Sequence, residues 1–140
     1  MAEKVARFGV SLEPDLLDRF DRALRRRHYT NRSQAIRDLI RRELIGGEWQ
    51  DSNTEVIGTI SMVYDHHVRG LTQRLVSLQH ECAGRIVAAT HVHMDHHNCL
   101  EVLIMRGRGR QVSDLAERIR SVRGVKHVTL SMTTTGSHLK

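Results

Sequence analysis

Hydrophobic and polar residues alternate from Val5 to Leu12, with Ala6, Phe8, Val10 and Leu12 on one side and Val5, Arg7, Gly9 and Ser11 on the other. That period predicts a strand with one buried face. Pro14 then suits the first turn of a helix, and Leu16, Leu17, Phe20 and Leu24 recur at helical spacing to about Arg27. His28-Tyr29-Thr30 breaks the pattern. Asn31, with Gln34 three residues on, reads as a capping box. It opens a second helix with Ala35, Ile36, Leu39, Ile40 and Leu44 on its apolar face, and Gly46-Gly47 is expected to end it. The first 46 residues therefore read strand, helix, helix.

The stretch 47–54 is polar and reads as a linker. Beyond it the pattern predicts a strand over Val56–Tyr64 and a helix from His66 to about Leu78. Strands over Arg85–His93 and Cys99–Met105 follow, joined by the polar turn Asp95-His96-His97-Asn98. Gly107-Arg108-Gly109 reads as a loop, Gln111–Val122 as a helix and Val125–Met132 as a last strand. The order β-α-β-β-α-β over 55–133 is the ferredoxin-like split arrangement, so the class is α+β. Residues 134–140 read as a frayed, disordered tail.

Charge adds direction. The chain of 140 residues carries 22 Lys and Arg against 16 Asp and Glu, a net charge of +6, which favours an anionic partner such as nucleic acid. Eleven of the basic residues and seven of the acidic ones fall within 1–46, so the excess is concentrated there. With two cysteines, no apolar run of membrane-spanning length and no leader pattern after Met1, a soluble cytoplasmic protein is expected.

A strand and two helices in 46 residues leave open strand edges and too little core to stand alone. Pairing two copies of the strand antiparallel answers both problems. Arg7, Gly9 and Ser11 then lie twice on one two-stranded ribbon of a size that enters the major groove of double-stranded DNA. The backbone N–H groups of Arg32 and Ser33, at the start of the second helix, suit a phosphate. The pattern resembles the ribbon-helix-helix family of bacterial DNA-binding proteins, and Asn31-Arg32-Ser33-Gln34-Ala35-Ile36-Arg37 resembles the opening of that family's second helix.

Five of the ten histidines lie between His80 and His97. On a strand, His91 and His93 project to the same side, roughly 6.5–7 Å apart at the backbone. Cys99, returning across a short hairpin, could add a thiolate. Two nitrogens and one sulfur suit a late first-row metal, zinc in a tetrahedral set or copper or nickel in a square plane. His96 and His97 are expected in the exposed turn, His66 and His67 at a helix start, and Cys82 as an ordinary thiol. Glu101, two positions past Cys99, could support a ligand. A metal store or a metal hydrolase would also use three ligands, although no side chain beyond the metal set reads as a catalytic base.

With the ribbon-helix-helix unit, Gln79-His80, His91-Val92-His93 and Cys99-Leu100-Glu101 make the chain resemble the nickel-responsive transcriptional regulators from about Ala6 to Met132. The resemblance implies an ACT-type regulatory domain and a homotetramer built as a dimer of dimers. It implies one square-planar Ni(II) per subunit, held by His91, His93 and Cys99 of one subunit and His80 of its neighbour. It further implies nickel-dependent binding to a palindromic operator and repression of nickel-uptake genes, with no enzymatic activity. A cation site near Asp38 is also implied, where Gln34 replaces the family's frequent acidic residue.

Overall fold

The computed structural model describes residues 4–139; the expected start at Met1 and the last residue of the tail lie outside them. The chain divides into two compact units between Ile40 and Arg41.

In the first unit, α1 (Pro14–Arg26) starts at its proline as expected, and α2 (Arg32–Gln50) follows after a tight turn. His28 takes a left-handed φ of 58° there, and the Tyr29 N–H reaches back to the Leu24 carbonyl to close the end of α1. Asn31 caps α2 by accepting the Gln34 N–H at 2.9 Å. Only half of the expected capping box forms, because Gln34 Oε1 accepts from the Thr30 N–H and hydroxyl instead.

The segment Val5–Leu12 is not a strand within one chain. A strand needs a hydrogen-bonded neighbour, and the described residues of this unit contain no second extended segment to provide one. Its expected buried face is open: Phe8 is 69% exposed and Val10 62%.

The second unit is a four-stranded antiparallel sheet of β1 (Glu55–Asp65), β2 (Ile86–His93), β3 (Asn98–Arg108) and β4 (Val125–Met132) in the order β2-β3-β1-β4. Helices α3 (Leu71–Glu81) and α4 (Gly109–Arg120) complete the expected βαββαβ fold. Alternate residues of β1 point inward, so Val56, Ile60, Met62 and Tyr64 meet Leu71, Leu75, Leu78, Val112, Leu115 and Ile119 in one apolar core. Each such side chain contributes about 1.5–3 kcal/mol on burial.

Three boundaries differ from expectation, each for a local reason. Helix α2 runs through Gly46 and Gly47 to Gln50 because Trp49 is buried in the second unit's core, its indole N–H donating to the Thr133 carbonyl at 2.8 Å. The indole lies so close to Gly58 that a Cβ there would come within 2.7 Å of it, and a side chain at Gly109 would strike the Trp49 backbone. Helix α3 begins at Leu71 rather than His66, since Asp65 accepts the His67 N–H in a turn and Gly70 sits at a φ of 79° before the first helical residue. The expected loop at Gly107–Gly109 is absorbed, as β3 continues to Arg108 and α4 starts at the next residue.

Candidate metal centre and nucleic-acid interface

Register builds the metal centre. Across β2 and β3, His93 pairs with Cys99 and His91 with Glu101, while across β1 and β3 Tyr64 pairs with Cys99. Cys99 is fully buried, and His93 Nδ1 lies 3.3 Å from its Sγ. His91 stands beside His93 on the same side of β2, their ring centroids 5.0 Å apart, and meets Tyr64 edge-on at 6.0 Å. Glu101 is buried, so it is no solvated strand carboxylate. It accepts the Tyr64 hydroxyl at 2.8 Å and the Gln79 amide at 2.9 Å. The Tyr64 hydroxyl is held protonated by burial and by this carboxylate.

Sequence reasoning missed His66. Its Nδ1 is 3.2 Å from Cys99 Sγ, so His66, His93 and Cys99 converge within one chain; Asp65, His66 and His67 form a second such set among the described residues. The signal was the topology. In the split arrangement β1 runs antiparallel beside β3, so the residue just past the end of β1 must fall next to the start of β3. The His66 N–H also donates to the His97 carbonyl at 3.3 Å. Cys82 and Cys99 are both free thiols. His80 is exposed near the end of α3, in a shallow depression with Val76, Gln79, Ala83 and Ile86, and does not join the cluster within its own chain.

The donor set fits a late first-row metal. Burial pushes the Cys99 thiol up, with Asp65, Asp95 and Glu101 adding to the effect. Partial burial, together with His67 and His93, pulls His66 down toward its neutral form. A thiol packed at hydrogen-bond distance from two imidazoles is the precursor of an N/S ligand set, and the thiol releases its proton on loading.

In the first unit Arg7, Gly9 and Ser11 are exposed. The Arg32 side chain is committed to Asp21 through two contacts, at 2.9 and 2.8 Å. Its backbone N–H and that of Ser33 lie in the first turn of α2, where helix geometry gives them no intrahelical acceptor. An open apolar groove lies between the N-terminal segment and the helices, lined by Phe8, Val10, Leu12, Leu17, Phe20 and Ile36. At the position of the implied cation site, Asp38 accepts the Tyr29 hydroxyl at 2.9 Å.

Fold and site together define a DNA-binding unit joined to a metal-binding regulatory domain. Residues 57–133 match the NikR C-terminal nickel binding domain, and residues 6–45 match the ribbon-helix-helix proteins of the copG family. A candidate nickel-responsive regulator of Nitratidesulfovibrio vulgaris strain DP4 is 52% identical over 97% of this chain and 98% of its own length. Similar candidates from Solibacter usitatus and Thermococcus onnurineus are 48% and 47% identical, each over 97% of this chain and 98% and 99% of their own lengths. A solved, uncharacterised protein of Thermotoga maritima shares the fold at a TM-score of 0.52 and 11% identity, over 57% of this chain and 99% of that one. The chain belongs to the nickel-responsive regulator family, with a ribbon-helix-helix DNA-binding unit and a nickel-binding domain. No helix among the described residues is long and apolar enough to cross a membrane.

Proposed function

We propose that the protein is a nickel-dependent transcriptional repressor that acts on DNA in the cytoplasm and is not an enzyme. The observation that carries this reading is the seating of His93 Nδ1 at 3.3 Å from the buried Cys99 Sγ, with His91 beside it, in a chain whose other unit is a ribbon-helix-helix. His91, His93 and Cys99 of one subunit hold one Ni(II) ion, and His80 of the neighbouring subunit completes the set. Bound nickel supplies a bridge between subunits. The exposure of His80 on α3 supports that role, because a ligand lent to a neighbour must be reachable. Glu101 positions the site from behind, through Tyr64, Gln79 and its place opposite His91.

Two chains pair their N-terminal segments as an antiparallel ribbon, which covers the exposed faces of Phe8, Val10 and Leu12. Arg7, Gly9 and Ser11 then face the bases, and the first turn of α2 at Arg32 and Ser33 faces a phosphate. Two such dimers form a tetramer around the second units and grip successive half-sites of a palindromic operator. Nickel biases that arrangement only by its differential affinity for it, and the regulated genes are those of nickel uptake.

The test is retention of operator DNA by the full chain with and without nickel, for the native sequence and for His91→Ala, His93→Ala and Cys99→Ala. Nickel-dependent retention lost in each variant is expected. Equal retention without nickel, or an unchanged nickel response in all three variants, overturns the reading. A second ligand set, His66 with His93 and Cys99, is favoured by the 3.2 Å contact of His66 with the thiol. Comparing His66→Ala with His80→Ala separates the two, since only the true ligand's loss abolishes the thiolate-to-nickel absorption band.

A further inference from the structure

A concave recess lies at the end of the second unit's sheet farthest from the thiolate centre. The register sets Glu55 opposite Arg108 at this end of β1 and Asp65 opposite Asn98 at the other, roughly 33 Å away at the usual strand rise. The recess has a volume of about 420 Å³ and runs between the end of α2 with the turn after it and the start of α4. Trp49, Asp51 and Ser52 line one wall, and Arg108, Arg110 and Ser113 the other. The sequence here is Arg106-Gly107-Arg108-Gly109-Arg110. Packing accounts for its glycines: a Cβ at Gly107 would press on Arg85 and Gln111, and one at Gly109 on the Trp49 backbone. Packing does not account for its arginines, which are all exposed. Arg106 is spent on Glu55 at 2.6 Å; the other two belong to the recess.

We propose that this recess binds a phosphate group, carried by a small phosphomonoester or by the backbone of DNA. Its donors are in place and largely uncommitted. Arg108 is fixed at the rim, its guanidinium donating to the Asn53 carbonyl and its N–H to Gln111 Oε1 at 3.1 Å. The side chains of Arg110, Ser52 and Ser113 have no hydrogen-bond or ion-pair partner among the described residues. Arg110 and Ser113 stand three residues apart on α4 and so share a face. The one carboxylate of the lining is turned to its own loop: Asp51 accepts the Asn53 N–H at 3.0 Å and the Thr54 hydroxyl at 2.6 Å. Two guanidiniums against one satisfied carboxylate leave the recess positive. Guanidinium forks and hydroxyls match the spread oxygens of a phosphate, and they offer a cation nothing. Size agrees, since the volume falls within the range of roughly 300–1,000 Å³ of small-ligand pockets, enough for a phosphate with a sugar attached. A phosphate bonded to Ser52 on one wall and Arg110 on the other would fasten the end of α2 to α4.

Trp49 lines the recess and is the only tryptophan of the chain, so its fluorescence reports occupancy. The test titrates the metal-free full chain with inorganic phosphate and, separately, adenosine monophosphate at constant ionic strength. It compares the native sequence with Arg110→Gln, which alters an exposed side chain. If the phosphate comes from a small molecule, the native emission changes saturably, and the apparent affinity falls about ten-fold or more in Arg110→Gln. If it comes from the DNA backbone, neither small anion changes the emission. Retention of a random-sequence duplex then decides, and the slope of its log affinity against log salt should flatten by about 0.9 in Arg110→Gln. Equal saturable changes in both chains overturn the proposal. So does an unchanged salt slope where neither anion alters the emission. Neither arm uses nickel or the operator, so failure of the nickel-repressor reading would leave both results standing.

Discussion

The two units differ in how much of their own structure one chain can complete. The second unit closes a sheet over a core in which Val56, Ile60, Met62, Leu103 and Ile119 are fully buried. Among the described residues the first buries only Leu24 and Ala35 of its own and leaves Phe8, Val10, Leu16 and Leu39 47% exposed or more. Yet its first helix, α1, is strongly amphipathic. Its apolar stripe is left uncovered by the described residues of its own unit. An exposed face of this kind, rimmed by charge, marks an interface.

The sharpest way to break this contrast is Phe8→Arg. If Phe8 is buried against a second copy, each chain contributes about 1.5–3 kcal/mol and a symmetric pair twice that, so pairing and operator retention should fall by roughly 100-fold or more. Sedimentation and mobility-shift measurements read this, and the thiolate-to-nickel band should remain. Retention that survives the change would mean the first unit does not need its partner. In the second unit, Trp49→Ala empties the pocket beside Gly58 and should cost about 3–5 kcal/mol in urea unfolding. A cost under 1 kcal/mol would show that the end of α2 adds little to that core.

Glu101→Gln keeps the shape of the side chain and removes its charge behind the metal centre. Nickel affinity measured by competition with a chelator should drop about 10–100-fold, with little change in unfolding. The smallest effect is expected at the hairpin. Hydrogen bonds from the Asn98 side chain and from the backbone N–H groups of Asn98 and His97 hold the Asp95 carboxyl down to about 2. The unfolded value is about 3.9, so ionised Asp95 stabilises the turn above that pH and the contribution is lost as pH falls toward 2. Amide exchange at His97 and Asn98 should rise over that window in the native chain, and Asp95→Ala should show the faster exchange already at pH 6.

Much of this architecture is legible in residue order. The alternation in β1, the leucine spacing of α3, the apolar spacing of α4 and the HxH on β2 depend on local periodicity, and the βαββαβ order follows from them. What local periodicity does not carry is long-range contact. Gly46-Gly47 reads as a helix end because Trp49, two residues on, has its seat far along the chain, its indole against Gly58 and its backbone against Gly109. His66 reads as a helix start because its partner Cys99 is 33 residues away and becomes a neighbour only once β1 lies against β3. The segment Val5–Leu12 shows the opposite case: the periodicity is clear, and the described residues of its own unit offer it no hydrogen-bonding neighbour.

In the sheet order β2-β3-β1-β4, the strand carrying His91 and His93 lies at an outer margin, with Val87 and Val92 beside them in the open. Ligands on a margin can be reached from outside, and on the proposed reading a fourth donor arriving from a neighbouring subunit would make ion capture a reaction between molecules. Apparent nickel affinity would then rise with the amount of regulator present. The threshold at which the cell registers nickel would be set jointly by the metal and by how many copies of this chain are there to meet.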